Sequence, residues 1–356
     1  MSKTILIMAG GTGGHIFPGL AVAEAMRARG WHVVWMGVQT GMEADLVPRH
    51  GYEMAWVRFQ GVRGKGLAAL MLLPTRLLIA FWQAAAVIRR VRPSVILGMG
   101  GYIAFPGGMM AALLGRPLVI HEQNAVAGTT TRLLARLADR VLTSFESAFG
   151  SSVRALLTGN PIRAALAKTA DPQTRFARRG GPIRITVLGG SLGARALNET
   201  LPSVFAAIDQ DRRPHIVHQA GRQHAEELEA CYRNLRIEAR VVPFIDDIAE
   251  QLAWSDLVIC RAGATTLAEL AAVGVGSILI PFPYAIDDHQ TRNAQVLVQS
   301  GAAILVPQSE LTVERLTALV RSLDRGRLST MACAARALGK PDAAERVADV
   351  CVQVAS

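Results

Sequence analysis

Histidine is scarce in this chain, 8 among 356 residues, and one stands on a glycine loop, Gly10-Gly11-Thr12-Gly13-Gly14-His15. A helix opening at such a loop turns bare backbone N–H groups toward an anion and disfavours an imidazolium, so His15 is expected to stay neutral and accept a proton. Its other use is as a capping or core histidine. The run His121-Glu122-Gln123-Asn124 follows an apolar segment. Polar side chains at a strand tip suit a cleft, and His121 or Glu122 could compete for the role of base. In Arg261-Ala262-Gly263-Ala264-Thr265-Thr266-Leu267-Ala268-Glu269, the carboxylate lies about one turn inside a helix start. There Glu269 can hold a ribose diol while the helix end faces phosphates, or it can be an ordinary carboxylate favoured by the dipole. Asp287-Asp288-His289-Gln290-Thr291-Arg292-Asn293 is suited to reading sugar hydroxyls, or is a solvated helix start capped by Asp287.

Two further glycine loops follow apolar runs, Gly98-Met99-Gly100-Gly101-Tyr102 and Gly189-Gly190-Ser191-Leu192-Gly193. Three such loops indicate that diphosphates are handled at more than one place. The nicotinamide and flavin fingerprint does not fit, because Gly11-Thr12-Gly13-Gly14-His15-Ile16 lacks the third glycine and Gly37-Val38-Gln39 carries no acid. No Gly-Lys-Ser/Thr follows any loop, which excludes a Walker site. Asp209-Gln210-Asp211 reads as a surface turn, and no His-Glu-x-x-His motif occurs. No cofactor or resident metal is expected, a divalent ion being at most stimulatory; helix dipoles and Arg side chains would neutralise a leaving group.

These groups need elements to hold them, and the chain alternates strand, turn and helix. Thr4–Ala9 reads as a buried strand, Pro18 suits the first position of a helix continuing over Leu20–Arg29, and Gly30 ends it. His32–Gly37, Ser94–Leu97, Pro117–His121 and Arg140–Thr143 read as strands. Beyond Gly159-Asn160-Pro161 and the polar stretch Lys168–Pro182 the rhythm restarts with Ile183–Leu188, His215–His218, Ala239–Val242, Leu257–Cys260 and Ser277–Pro281. A closing helix over Ala343–Val354 could pack on either domain. The expected class is α/β, with two doubly wound parallel sheets, and the length fits two domains.

A hydrophobic content of 51% and a mean hydropathy of +0.28 exclude a disordered chain. Cys231, Cys260, Cys333 and Cys351 are too scattered for a zinc site or disulfide framework and read as small core residues of a reducing compartment. The first residues run straight into a strand, so no signal peptide is expected and the chain is placed in the cytoplasm. Of the net charge of +10, nearly all sits early: residues 1–160 hold 16 Lys and Arg against 7 Asp and Glu. No acid falls between Glu53 and Glu122. That window carries Arg58, Arg63, Lys65, Arg76, Arg89, Arg90, Arg92 and Arg116, and the apolar run 67–82 interrupted by Pro74 and Arg76. A span needs roughly 20 apolar residues, so this segment should lie on a membrane, with Leu72, Leu73, Arg76, Leu77, Phe81, Trp82, Arg89 and Arg90 meeting anionic lipid. The other reading is a buried helix with basic ends. Nucleic acid is disfavoured by 5% aromatics and by the absence of basic-aromatic interleaving.

The glycine loops, with Ile16-Phe17-Pro18-Gly19, His121–Asn124, Gly159-Asn160-Pro161-Ile162-Arg163, Ala194-Arg195, Phe244-Ile245-Asp246-Asp247, Arg261–Glu269, Asp287–Ala294 and Pro341–Ala348, resemble the MurG enzymes of bacterial cell-wall synthesis over the whole chain. The resemblance implies a GT-B fold of two Rossmann-like domains facing across a cleft. Residues 1–162 would be the acceptor- and membrane-binding domain, with a helix of about 341–356 packing back, and 163–340 the UDP-sugar domain. It implies inverting transfer of N-acetylglucosamine from UDP-N-acetylglucosamine to the 4-hydroxyl of undecaprenyl-diphospho-muramoylpentapeptide. By matching motif, Ser191 would contact the donor diphosphate, Ile245 the uracil through its backbone, Ala264, Thr265, Thr266, Leu267 and Ala268 the phosphate side, Glu269 the ribose and Gln290 the sugar. Thr12, Gly13, Gly14, Asn124 and Arg163 match positions that complete the donor site. The acceptor diphosphate would sit near Gly11, Gly14, His15, Gly100, Gly101 and Tyr102. Thr265 stands where many members carry Leu, and Leu192 where many carry Gln. The implied partners are the two substrates, the cytoplasmic face of the inner membrane, and a cell-wall synthesis complex. A UDP-N-acetylglucosamine 2-epimerase or another glycosyltransferase on this fold, and a non-enzymatic membrane or nucleic-acid binder, are the alternatives; neither would release UDP in dependence on a lipid acceptor.

Overall fold

The computed structural model describes residues 3–59, 71–190 and 193–356. Ser191 and Leu192 of the third glycine loop, and Arg63, Lys65 and Leu67–Leu70 of the basic apolar segment, lie outside the described residues. The chain divides into two compact units, Met1–Arg163 with Asp342–Ser356, and Ala164–Pro341.

The first unit holds strands β1 (Thr4–Ala9), β2 (His32–Gly37), β3 (Glu53–Trp56), β4 (Val95–Gly100), β5 (Leu118–Glu122), β6 (Arg140–Thr143) and β7 (Ala155–Leu157). Their order is β3-β2-β1-β4-β5-β6-β7, and the pairs are parallel. Every residue from Ile5 to Ala9 is buried, as a parallel strand covered by helices on both faces requires. The second unit repeats the plan with β8 (Arg184–Leu188), β9 (His215–Gln219), β10 (Ala239–Val242), β11 (Leu257–Cys260), β12 (Gly276–Leu279) and β13 (Ala303–Leu305), ordered β10-β9-β8-β11-β12-β13.

Each sheet winds outward from its first strand in both directions, so β1 and β4, and likewise β8 and β11, flank a topological switch point. Ligands of open α/β sheets bind at the carboxyl ends of such strands. All four glycine-bearing segments emerge there, after β1, at the end of β4, after β8 and after β11.

Three differences from expectation bear on the site, and the strand expected at Ser277–Pro281 runs over Gly276–Leu279. β4 runs on through Gly100, so Gly98 and Met99 are buried strand, and a side chain at Gly98 would press on Ile120 of β5. The first helix begins at Gly13 and places Pro18 inside it, because the glycine loop itself forms the opening turn, with the His15 and Ile16 N–H groups donating to the Thr12 carbonyl. Asp288, not Asp287, immediately precedes the helix His289–Gln299, and it adopts left-handed backbone without capping by its side chain. The short strands β3, β7 and β13 sit at or near sheet edges.

The C-terminal helix Ala343–Val354 belongs to the first unit. Its Val347, Ala348, Val350 and Cys351 share a core with Ile5, Ile7, Val22 and Val95, and Arg29 pairs with Glu345 and Asp349. Burial pushes the Cys351 and Cys260 thiols up to about 12, as fits core residues.

Two buried histidines make stability depend on pH. His218 bonds Tyr232 Oη and Asn198 Oδ1 inside the second core, and burial lowers its pKa to about 3. Burial lowers that of His121 to about 4, against the opposing pull of the Gly159 carbonyl. Both folded values lie below the unfolded value near 6.5. Between them the unfolded chain binds the extra proton, so stability is full above about pH 6.5 and falls on acidification toward pH 4 and then 3. Each contributes a slope of about 1.4 kcal/mol per pH unit in that window. Urea midpoints from pH 7.5 to 5 should fall in wild type and fall less steeply in His218→Gln.

Candidate active site

In the first unit, the loop after β1 and the end of β4 touch. A side chain at Gly101, whose φ is +80°, would overlap the Gly10 carbonyl, and one at Gly100 would come within 2.7 Å of His15 Nδ1. These glycines let two strand ends converge and seat the imidazole against bare backbone. The Tyr102 ring lies over Gly11. Thr12 and Gly14 are exposed and His15 is half-buried. The Arg163 guanidinium stacks over Phe17 at 5.2 Å, on the helix that the loop opens. The structure thus brings together Gly11 through His15, Gly100 through Tyr102, and Arg163.

The run after β5 is placed differently from its expected cleft role. His121, Glu122 and Gln123 are all buried. Glu122 Oε1 accepts the Asn124 N–H and Nδ2, and its Oε2 accepts the Gly128 N–H. A carboxylate committed to three donors organises its loop, which removes Glu122 as a competing base. His121 Nε2 donates to the Gly159 carbonyl, and its depressed pKa leaves it a poor proton acceptor. Only Asn124 of the four is partly exposed.

Glu43 carried no signal in the motif reading. It is fully buried, with Oε2 accepting the Gly11 N–H at 3.2 Å and Oε1 the Val38 N–H at 3.2 Å. It ties the glycine loop to the end of β2. The available signal was an acid, followed closely by Asp45, just after Gly37-Val38-Gln39-Thr40-Gly41 in a basic half. Glu43→Ala would leave two N–H groups without their acceptor, and about 2–4 kcal/mol of stability should be lost. Differential scanning calorimetry should show a fall of several degrees in Tm, with Glu43→Gln intermediate.

In the second unit a cavity of about 670 Å³ gathers Gly189, Gly190, Gly193, Arg261, Gly263, Thr266 and Gln290. The helix Ala264–Val273 opens into it from Gly263. Its first N–H groups offer a phosphate site. Leu267 has its side chain in the core and its N–H bonded to the Gly263 carbonyl, so it cannot line the phosphate side. Ala264 is buried, Thr265 and Ala268 are half-buried, and Glu269 is 7% exposed one turn in. Gln290 Oε1 accepts the Phe282 N–H, which leaves its amide NH₂ for a ligand oxygen. Arg261 went unassigned in the sequence. It lines the cavity, held by the Ile280 and Pro281 carbonyls and by Gln308 Oε1, and supplies fixed positive charge.

Ile245 lines a separate cavity of about 970 Å³ with Phe244, Asp246 and Asp247. Its N–H donates to Gln219 Oε1, while Gln219 Nε2 donates to the Gly190 carbonyl. Gln219 therefore couples the third glycine loop to the Ile245 backbone.

The helix Leu73–Val91 divides the expected lipid-facing set. Ala80, Ala84, Val87 and Ile88 anchor it in the core, with Leu73 and Leu77 packed against them, and Phe81 meets Phe105 at 5.8 Å. The outward face carries Leu72, Leu78, Ile79 and Trp82, the last 72% exposed. Leu73, Leu77 and Phe81 thus turn toward the protein because the helical period puts them on its inner side. Arg76 is half-buried, and Arg89 and Arg90 are exposed at the C-terminal end. Among the described residues no helix is long and apolar enough to cross a membrane, and no cluster of His, Cys, Asp or Glu could hold a metal ion.

The sequence matches the family descriptions "Glycosyltransferase family 28 N-terminal domain" over residues 5–143 and "Glycosyltransferase family 28 C-terminal domain" over residues 184–347. It is 58% identical over 354 residues to the UDP-N-acetylglucosamine–N-acetylmuramyl-(pentapeptide) pyrophosphoryl-undecaprenol N-acetylglucosamine transferase of Aromatoleum aromaticum, covering 99% of this chain and 98% of that one. The transferase of the same name from Dechloromonas aromatica is 55% identical over 355 residues, covering 100% of both. Among solved structures, MurG of Acinetobacter baumannii matches with a TM-score of 0.85 and 38% identity over 99% of each chain. The two parallel-sheet domains are a GT-B fold.

Proposed function

Because this chain belongs to glycosyltransferase family 28, carrying both of its domains in order, we propose that it transfers N-acetylglucosamine from UDP-N-acetylglucosamine to the muramoyl 4-hydroxyl of undecaprenyl-diphospho-muramoylpentapeptide, with inversion. It is a UDP-N-acetylglucosamine-dependent hexosyltransferase of peptidoglycan synthesis. The observation that carries this reading is end-to-end identity of 58% to a transferase of that name, in a chain whose two sheets each present glycine-rich strand ends at the switch point.

The reaction is read as one displacement. The acceptor oxygen forms its bond to the anomeric carbon as the bond to the UDP oxygen breaks; the electron pair leaves with UDP, and the hydroxyl proton passes to His15. In the second domain, the helix start at Gly263, the third glycine loop and Arg261 are assigned to the UDP diphosphate, Gln290 to the sugar, Glu269 to the ribose and the Ile245 backbone to uracil. Fixed N–H dipoles and a held guanidinium stabilise developing charge without reorganising. In the first domain, Gly11, Gly14, Gly100, Gly101 and Tyr102 are assigned to the acceptor diphosphate. The outward face of Leu73–Val91 would seat the enzyme on the cytoplasmic face of an anionic membrane.

The test mixes enzyme, UDP-N-acetylglucosamine and a short-chain lipid-linked muramoylpentapeptide and follows UDP release. Release should require the acceptor and continue in excess EDTA. Acceptor-independent release would overturn the transferase reading, and loss in EDTA restored by Mg²⁺ would overturn the metal-free assignment.

A further inference from the structure

Gln123 lies two residues past the buried His121 and reaches back to the glycine loop. Its Oε1 stands 3.0 Å from His15 Nδ1. Its Nε2 donates to the Met99 carbonyl at 2.7 Å and faces His121 Nδ1 at 3.2 Å. A carbonyl oxygen only accepts, so the nitrogen end of the amide must point at Met99 and the oxygen end at His15. The other end of the chain is fixed in the same way, since His121 Nε2 donates to the Gly159 carbonyl and its Nδ1 is thereby an acceptor. Every polarity in this buried row is determined by a backbone carbonyl. An oxygen facing His15 Nδ1 requires a proton on that nitrogen.

We infer that Gln123 is a positioning residue that holds His15 as the Nδ1–H tautomer and so presents an unprotonated Nε2 to the acceptor hydroxyl. The inference rests on the reading of His15 as the base. Nε2 makes no hydrogen bond among the described residues. A free histidine side chain favours the opposite tautomer, with its proton on Nε2, which leaves that nitrogen no lone pair to take the hydroxyl proton. Burial of His121 keeps that ring uncharged, so the row carries polarity without charge. The ionisable groups on the surrounding elements are Glu43, which opens the helix Glu43–Arg49 and accepts the Gly11 N–H, Tyr102 after β4, and Glu122 and His121 on β5.

The experiment uses the full chain labelled with ¹⁵N at histidine, with the His15 signals assigned by their loss in His15→Ala. Wild type should show protonated Nδ1 and bare Nε2 at neutral pH. In Gln123→Leu the His15 signals should move toward the Nε2–H form, and kcat should fall roughly 10–100-fold, the range for outer groups that orient a ligand or base, with KM for UDP-N-acetylglucosamine unchanged. Gln123→Glu keeps an acceptor for Nδ1, so it should recover most of kcat at alkaline pH with the acid limb of the kcat profile moved upward. An Nε2–H tautomer in wild type overturns the inference whether or not any variant folds. So does a Gln123→Leu protein with unchanged tautomer and kcat. If instead Gln123→Leu shifts the tautomer while His15→Ala keeps its kcat, the base reading fails and the tautomer control stands without a catalytic consequence.

Discussion

With both substrates saturating, His15→Ala is expected to turn over about 10²–10⁴-fold more slowly than wild type, the span that positioned general bases contribute. KM for UDP-N-acetylglucosamine should stay within about threefold, because the nucleotide assignments lie on the other domain. A loss in kcat with KM unchanged marks an interaction made only in the transition state. The alternative role for His15 is structural, since its ring fills the space above Gly100. His15→Asn separates the two: it restores polarity at the loop without a basic nitrogen, so Tm should return toward wild type while kcat stays low. Initial rates of UDP release and calorimetry on both variants decide it. Retention of most of kcat in His15→Ala would remove the base and leave a loop support.

Much of the scaffold was legible because parallel strands buried on both faces read as unbroken apolar runs. Thr4–Ala9, His32–Gly37, Arg140–Thr143 and Leu257–Cys260 fall where their apolar runs put them. Of the edge strands Ala239–Val242 was legible, and both edges of the first sheet were not. Glu53–Trp56 and Ala155–Leu157 are short, partly exposed and without strong alternation, and they pair only because a neighbour offers open backbone groups. The site was legible as motifs but not as roles. His121-Glu122-Gln123 looked like cleft chemistry, yet burial turns all three into groups that hold other groups, and a sequence does not say which polar residues are enclosed. Glu43, Gln219 and Arg261 escaped for a related reason: each acts on a loop far away in the chain, and nothing local to it announces the partner.

The second large effect concerns the surface of the first domain. Replacing Leu78, Ile79 and Trp82 together with Ser is expected to weaken binding to vesicles containing anionic lipid by about 10²–10⁴-fold. These side chains are 68%, 45% and 72% exposed, and each would contribute about 1–2 kcal/mol on leaving water, less than full burial because each is partly covered already. Arg89 and Arg90 add roughly 1 kcal/mol each near an anionic leaflet, an attraction that falls with salt, whereas the apolar part does not. The triple variant should therefore keep a weak residual binding that 0.5 M NaCl abolishes. Its fold should survive, since Ala80, Ala84, Val87 and Ile88 on the inner side hold the helix in place. With a water-soluble short-chain acceptor kcat should match wild type, while with a long-chain acceptor embedded in vesicles the rate should drop with the binding. Vesicle co-sedimentation and the two rate assays read these effects separately. If the variant sediments like wild type, the helix does not meet the bilayer and its exposed leucines and tryptophan serve another contact. Equal losses with both acceptors would instead mean that the substitutions damage the acceptor site itself. A selective loss requires that membrane capture and acceptor binding be separate properties of one domain: apolar side chains on the outer face of a helix, and backbone N–H groups at the strand tips.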